Sequence, residues 1–537
     1  MPGTKSRAAT SNPKTGKNTP QVVNIRKQLT QTVVQLIMAQ SQHKQISYFR
    51  LPVFKGKGLA RHAYKKAGTL LLATLIAFTF PLSSHAQLND RINKTILSVA
   101  DSTDLTSDTA STALKTSGSP QIYIPKAIHY NKEEIHSDFV LAARRASFKK
   151  YLMEKTIKET FSGPLNQYTD YKFENACLSA TQFLIKNQYT QRGFEKMFEQ
   201  YFRLDPSARF ALLTAVYGIY PVTFKDKIKE ILPYERDPKL FAIAALYDYR
   251  IDTSITNRNR LMRQMEKQFA GSSQNVLLRQ LSSYLLRHLA DQITPTPSVI
   301  ELFRYQQLWK QKTIYSFQRW DRNYSGLCIV QYEDGHFARD QNGKLKIFRQ
   351  LARSGSGLPS FITNGNTPQG LYRIAGSRVS IDKLIGPTPT LQSIIPFQSD
   401  SVFFRGLPYD STGTKLDNYK ILLPPSWQSY PPMQQSFWAG AAGRRYIVIH
   451  GSTLDGSFFE GWSFYPNAPT DGCLSTMESW DTATGALDKS DQLDLVNTYH
   501  KTPGGLGLLE VINLDNQKKN VSVEEINALV EKFEASK

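Results

Sequence analysis

The sequence predicts a multidomain α + β protein: a helical N-terminal domain, HEAT-like or irregular, followed by a mostly β C-terminal domain. Three observations lead there. A chain of 537 residues exceeds what one core normally fills. From about 130 to 310, apolar residues recur at helical spacing with hardly any strand-like alternation. After Trp309 the texture changes to short runs rich in β-branched and aromatic residues, separated by Gly, Pro, Asn and Asp turns.

The chain opens without acidic residues. Residues 1–86 hold 13 of the 66 Lys and Arg and no Asp or Glu, so the formal charge of +21 falls to +8 over the remaining 451 residues. Charge placed this way points to targeting before it points to a polyanion, and no nucleic-acid partner is expected. Residues 1–60 read as a basic disordered extension or a mis-assigned start, with Met38 an internal candidate. In RHAYKKAGTLLLATLIAFTFPLSSHAQ, Arg61, Lys65 and Lys66 precede an apolar run from Ala67 to Leu82, and Ser84-His85-Ala86 closes the segment. That order predicts a signal peptide or membrane anchor over 61–86. An apolar run of about 16 residues is short of the ~20 that a span needs. Residues 87–129 read as a Ser/Thr-rich linker. The expected location is exported, in the periplasm or cell envelope, with anchoring through 67–82 as the alternative.

The helical domain is expected over 130–312. Within it DPSARFALLTAVYGIYP (205–221) and DPKLFAIAALYDYR (237–250) resemble each other at an offset of 32 residues. Asp205 and Asp237 read as N-caps, each followed by Pro at the first helical position. Each copy leads into a second amphipathic helix, FKDKIKEIL (224–232) or NRNRLMRQMEKQFAG (257–271). This period suggests stacked helix pairs; the partner they contact is not legible. The β domain is expected over 313–537, with strand-like runs LCIVQYED, KLKIFRQLA, GLYRIAG, SVFFRGL and RRYIVIHGS. Asn342-Gly343 predicts a hairpin turn. A last helix, VEEINALVEKFEASK, follows a capping Ser522.

Of three cysteines, Cys177 and Cys328 could pair in an exported chain, leaving Cys473 as a thiol to explain. A working thiol needs a base or a positive field. Outside the leader the histidines are His129, His136, His288, His336, His450 and His500. Only His450 ends an apolar strand, YIVIH, where it emerges into the loop Gly451-Ser452-Thr453. Cys473 follows 23 residues later in TDGCLST, a turn whose backbone N–H groups could hold an oxyanion. Ser147-Phe148-Lys149-Lys150 fits the S-x-x-K pattern, but its partner motifs are missing. Zinc-ligand spacings, a P-loop and a dinucleotide glycine fingerprint are absent from the sequence, so neither metal nor cofactor is expected.

Together, IHGS (449–452) and TDGCLST (470–476) resemble the catalytic motif of the L,D-transpeptidases, the YkuD-type domains. NTPQGLYRI (366–374) resembles that family's Thr-Pro-x-Gly-x-Phe/Tyr element, and the hairpin before it, residues 329–357, resembles the family's approach to it. The resemblance implies an L,D-transpeptidase-like fold for 313–537 and an enzyme acting on peptidoglycan stem peptides. Cys473 would attack the carbonyl of the third residue of a tetrapeptide stem and release D-alanine. His450 would be general base and then acid, and backbone N–H groups at Gly472 and Cys473 would hold the oxyanion. An amine from a second stem would resolve the acyl-enzyme; Ser452 would orient the imidazole.

Asp471 stands where the family has a second histidine. A carboxylate there raises the thiol pKa by like-charge repulsion, or orients His450 as a third catalytic member. Arg444 and Arg445 are candidates for a stem-peptide carboxylate, Trp462, Tyr465 and Thr470 for the donor cleft, and Trp438, Phe458, Phe459 and Phe464 for its walls or for plain core. Two rival functions stay open: a carboxypeptidase or endopeptidase on the same site, and a catalytically silent wall-binding scaffold.

Overall fold

The structure, a computed structural model, describes residues 127–537. The basic extension, the signal or anchor segment and nearly all of the linker lie outside the described residues. Among the described residues no helix is long and apolar enough to cross a membrane.

The N-terminal half is helical, as its periodicity predicts: α1 (Ala142–Tyr151), running on as a π-type helix (Leu152–Glu159), then α2 (Asp170–Phe183), α3 (Gln188–Glu199), α4 (Pro206–Ile219), α5 (Lys225–Ile231), α6 (Pro238–Ile251), α7 (Ile255–Gln268), α8 (Val276–Ile293) and α9 (Val299–Gln307). Local chemistry starts several of them. Asn187 and Thr190 form a capping box, and the Asp237 carboxylate accepts from the Lys239 and Leu240 N–H groups. Asp205 occupies the equivalent N-cap before Pro206, although no cap bond forms from its side chain. Helices α2, α4, α6 and α8 pack in succession, and small residues at their contacts, Ala176, Ala180, Ala211, Ala215, Ala244 and Ala245, let the backbones approach. In the loop between hairpins a buried Glu235 accepts from Tyr201 Oη (2.7 Å) and pairs with Arg209 (3.2 Å). It ties one helix pair to the next.

The C-terminal half is a closed barrel of β1 (Lys312–Gln318), β2 (Gly326–Gln331), β3 (Phe348–Leu351), β4 (Gly370–Arg378), β5 (Thr390–Ile394), β6 (Val448–His450), β7 (Leu474–Thr476) and β10 (Leu506–Asn513), in the order β1-β10-β4-β5-β6-β7-β3-β2. A separate ribbon, β8 (Glu478–Trp480) with β9 (Leu487–Ser490), follows β7 directly. The hairpin at Asn342-Gly343 forms, its turn closed by Asp340 and Lys344. Between β5 and β6 lie short helices α10 (Asp400–Phe403), α11 (Lys415–Lys420), α12 (Pro425–Gln428) and α13 (Gln435–Ala441); α14 (Asp491–Tyr499) and α15 (Val523–Glu534) complete the fold. Ser522 caps α15 through the Glu525 N–H. SVFFRGL, read as a strand, is instead helix and turn. Its Phe403 is buried in an apolar cluster with Tyr419, Trp427 and Phe437, so tertiary packing overrides β propensity.

The two halves share a core. Leu358, Phe361 and Ile362, from the loop between β3 and β4, are buried within the helical cluster. At about 1.5–3 kcal/mol per fully buried large apolar side chain, that insertion anchors the loop firmly. Cys177 and Cys328 do not pair; each is a buried free thiol, one in the helical core and one in the barrel.

Candidate active site

One apolar cluster draws residues from all eight barrel strands, including Ile449 of β6 and Leu474 of β7. These strands are parallel neighbours, with Ile449 beside Leu474 and His450 beside Ser475. Strand alternation therefore sets His450 and Cys473 on the face opposite to that cluster. Extending the register by one residue puts Cys473 beside Val448, whose N–H donates to Sγ at 3.4 Å. Two residues of rise and one strand spacing separate the His450 and Cys473 Cα atoms, about 8 Å. A gap of 23 residues in sequence thus closes to one diagonal step.

Cys473 is half-exposed, and its S–H donates to the Tyr446 carbonyl at 3.6 Å. Tyr446 holds a left-handed backbone, φ 58°, a costly conformation for a bulky residue that occurs where the surroundings enforce it. Burial pushes the Cys473 thiol up to about 11; Asp471 adds to the rise, while the Val448 N–H and Arg444 oppose it. Asp471 is exposed, yet the protein around it and Asp382 hold its carboxyl above the usual range, with Arg444 opposing. Like-charge repulsion on the thiol is therefore the Asp471 effect that this geometry supplies.

His450 is buried, and its Nδ1 lies 2.6 Å from the Gly451 carbonyl. A carbonyl only accepts, so Nδ1 carries the proton and Nε2 is left as the basic nitrogen. Burial lowers the imidazole pKa, with the Gly451 hydrogen bond and Asp382 opposing; the ring is neutral at neutral pH. The group that orients His450 is a backbone carbonyl.

The Cys473 turn is held from beneath. Gly472 has φ 103°, and a Cβ there would lie 2.2 Å from Arg444 Nη2 and 2.4 Å from the Gly365 carbonyl, so only glycine fits. Arg444, expected at a substrate carboxylate, is buried and donates to the Ser360, Gly365 and Asn366 carbonyls at 2.6–3.0 Å. Burial brings its pKa down to about 10, which leaves it charged under the thiol at neutral pH. Arg445, half-buried, donates to the Gly440 and Arg444 carbonyls. Thr470, expected in the cleft, is buried: its Oγ1 accepts from the Gly472 N–H (3.0 Å) and donates to the Cys473 carbonyl (2.9 Å). The Gly472 N–H, expected at an oxyanion, is therefore engaged by the turn itself. Thr367 of NTPQG is fully buried and donates to the Gly472 and Cys473 carbonyls. That contact joins the upstream motif to the thiol turn.

Ser452 orients a loop rather than the imidazole. Its N–H donates to Glu478 Oε2 (2.8 Å), its carbonyl accepts from Trp480 Nε1 (3.0 Å), and its Oγ accepts from the Leu454 N–H. Arg145 of α1 donates to the Thr453 carbonyl at 3.0 Å. Of the aromatics, Phe459 and Phe464 are core. Phe458 packs on Phe183 of α2, and Trp438 lies under Arg279 of α8. Trp462 (37% exposed) and Tyr465 (47%) face solvent, with Arg353 over the Trp462 ring.

Sequence reasoning missed Tyr446, Val448, Asp382 and Glu478. Tyr446 and Val448 lie in the run YIVIH but act through backbone groups, while Asp382 and Glu478 lie outside the motifs and act through carboxyls that only the fold brings near. His136 and His336 are exposed, and His500, buried, faces Ser377. Ser147 is exposed on α1. Among the described residues no cluster of His, Cys, Asp or Glu is arranged to hold a metal.

The chain matches no protein-family model, no curated protein and no solved structure.

Proposed function

We propose that this protein is a cysteine acyltransferase of the L,D-transpeptidase type, acting on peptidoglycan stem peptides in the cell envelope. The observation that carries the reading is the convergence of three sequence-distant motifs. Thr367 of NTPQG, the TDGC turn and the IHGS strand end meet on one face, with a neutral, oriented imidazole one diagonal step from the thiol. Cys473 is the nucleophile, and His450 Nε2 takes its proton as the C–S bond forms. The same nitrogen then returns the proton to the leaving amine of D-alanine. The charged Arg444 beneath the turn favours the thiolate against the burial that disfavours it. An acceptor amine breaks the thioester to give a cross-link; water gives carboxypeptidase chemistry.

The test is incubation of the purified chain with disaccharide-tetrapeptides, read by mass spectrometry with Cys473→Ala as control. A cross-linked dimer that depends on Cys473 is expected. Loss of D-alanine without dimer selects the hydrolase. The raised thiol pKa and Asp471 favour a second reading, a silent wall-binding scaffold. Absence of both products, together with no acylation of Cys473 by a carbapenem, selects it.

A further inference from the structure

We infer that Glu478 is a positioning residue for His450: its carboxyl holds the Gly451-Ser452 turn so that the Gly451 carbonyl meets the imidazole. The inference rests on the acyl-transfer reading of the site and adds a residue that the motifs do not contain.

The contacts are specific. Glu478 Oε2 accepts from the Ser452 N–H at 2.8 Å, and Oε1 accepts from Ser490 Oγ at 2.7 Å. The Gly451 backbone lies against the carboxyl: a Cβ at 451 would fall 2.1 Å from the Glu478 carboxyl carbon. Glycine at 451 thus leaves the space that Glu478 fills, which gives the His-Gly pair a packing reason. Two residues on, Trp480 Nε1 holds the Ser452 carbonyl, so the β8 segment holds the two successive peptide units that flank Ser452, the first of which carries the Gly451 carbonyl. Ser490 in turn caps α14 through the Leu493 N–H, which fixes the far side of the carboxyl. Burial raises Glu478 to about 7, with its hydrogen bonds opposing. The residue is half-buried, and both of its carboxyl oxygens accept hydrogen bonds.

The geometry makes glutamine a conservative replacement: its Oε1 accepts from the Ser452 N–H while its Nε2 donates to Ser490 Oγ. Alanine removes both bonds. Aspartate keeps the carboxyl but withdraws it by one methylene.

The experiment is ¹⁵N NMR of the full chain labelled at histidine, in wild type, Glu478→Gln, Glu478→Ala and Glu478→Asp, with the rate of carbapenem acylation of Cys473 measured alongside. Expected for wild type and Glu478→Gln is a single Nδ1–H tautomer of His450. Glu478→Ala should show a mixture of tautomers and acylate about 10-fold slower or more, with Glu478→Asp between them and carrying the test if the alanine variant does not fold. A wild-type tautomer in Glu478→Asp or Glu478→Ala overturns the inference, as does a glutamine variant as disordered at His450 as alanine. The tautomer is read without substrate. A wild type that fails to acylate but shows the Glu478-dependent tautomer breaks the acyl-transfer reading alone.

Discussion

The Cys473 turn and the His450 turn cap adjacent parallel strands, yet they are secured by opposite kinds of group, a donor and an acceptor. Beneath the thiol lies a guanidinium, Arg444, spent on three carbonyls of the 360–366 loop. Beneath the imidazole turn lies a carboxyl, Glu478, spent on an amide and a hydroxyl. The first arrangement lowers the cost of an anion at the thiol; under the proposed chemistry, the second fixes the backbone that holds a neutral, directional imidazole. The supports also differ in origin. The Arg444 loop is anchored by Leu358, Phe361 and Ile362 in the helical core, whereas Glu478 comes from the chain just after Cys473. The helical half bears on both turns: through the 358–362 insertion beneath the thiol turn, and through Arg145 on the Thr453 carbonyl and Phe183 on Phe458 in the loop after His450.

The largest expected effect breaks the comparison on the thiol side. Gly472→Ala forces φ 103° on an L side chain and drives Cβ into Arg444. Acylation of Cys473 by a carbapenem, followed by mass spectrometry, should fall by about 100-fold or more; a fall below threefold would show that the turn has other room. Next comes Arg444→Met, which strands three carbonyls in the interior. Chemical denaturation should show a loss of about 3–5 kcal/mol, and wild-type stability would remove Arg444 as the keystone. Thr367→Val keeps the shape but removes the hydroxyl that links NTPQG to the turn. A loss of about 1–3 kcal/mol in the same assay is expected.

Smaller effects sharpen the electrostatic half of the comparison. With the thiol raised to about 11, Cys473 is protonated at neutral pH, and only the thiolate alkylates. The iodoacetamide rate should climb about tenfold per pH unit from 7 to 10; a plateau near pH 8 contradicts the raised pKa. Asp471→Asn removes a like charge from the thiol. Its alkylation at pH 8 should rise a few-fold, and a fall would mean that Asp471 helps the thiolate.

Several features were open to inspection of the chain. Helical periodicity gave α4 to α7 nearly whole and the rest of 130–310 only as a helical region, because an apolar stripe is a local pattern. Pro206 and Pro238 marked two helix starts because proline fixes its own φ, and Asn342-Gly343 marked a hairpin because glycine is free to take the positive φ, 77°, that the turn uses. SVFFRGL misled, since a short apolar run does not say which surface will bury it.

At the site, the amino-acid order alone picked out Cys473 and His450 as the pair to consider: a strand-ending histidine and a cysteine beside glycine are written in the chain. The tertiary structure alone decided what each neighbour does. Arg444 and Thr470 carry polar groups that suit a substrate, but burial turns them inward to backbone carbonyls and amides. Glu478 and Tyr446 look ordinary in sequence, and become part of the site because strand pairing brings β6 against the chain that follows Cys473. Residue type sets which hydrogen bonds a side chain can make; the fold sets which donors and acceptors lose water, and so which bonds must form.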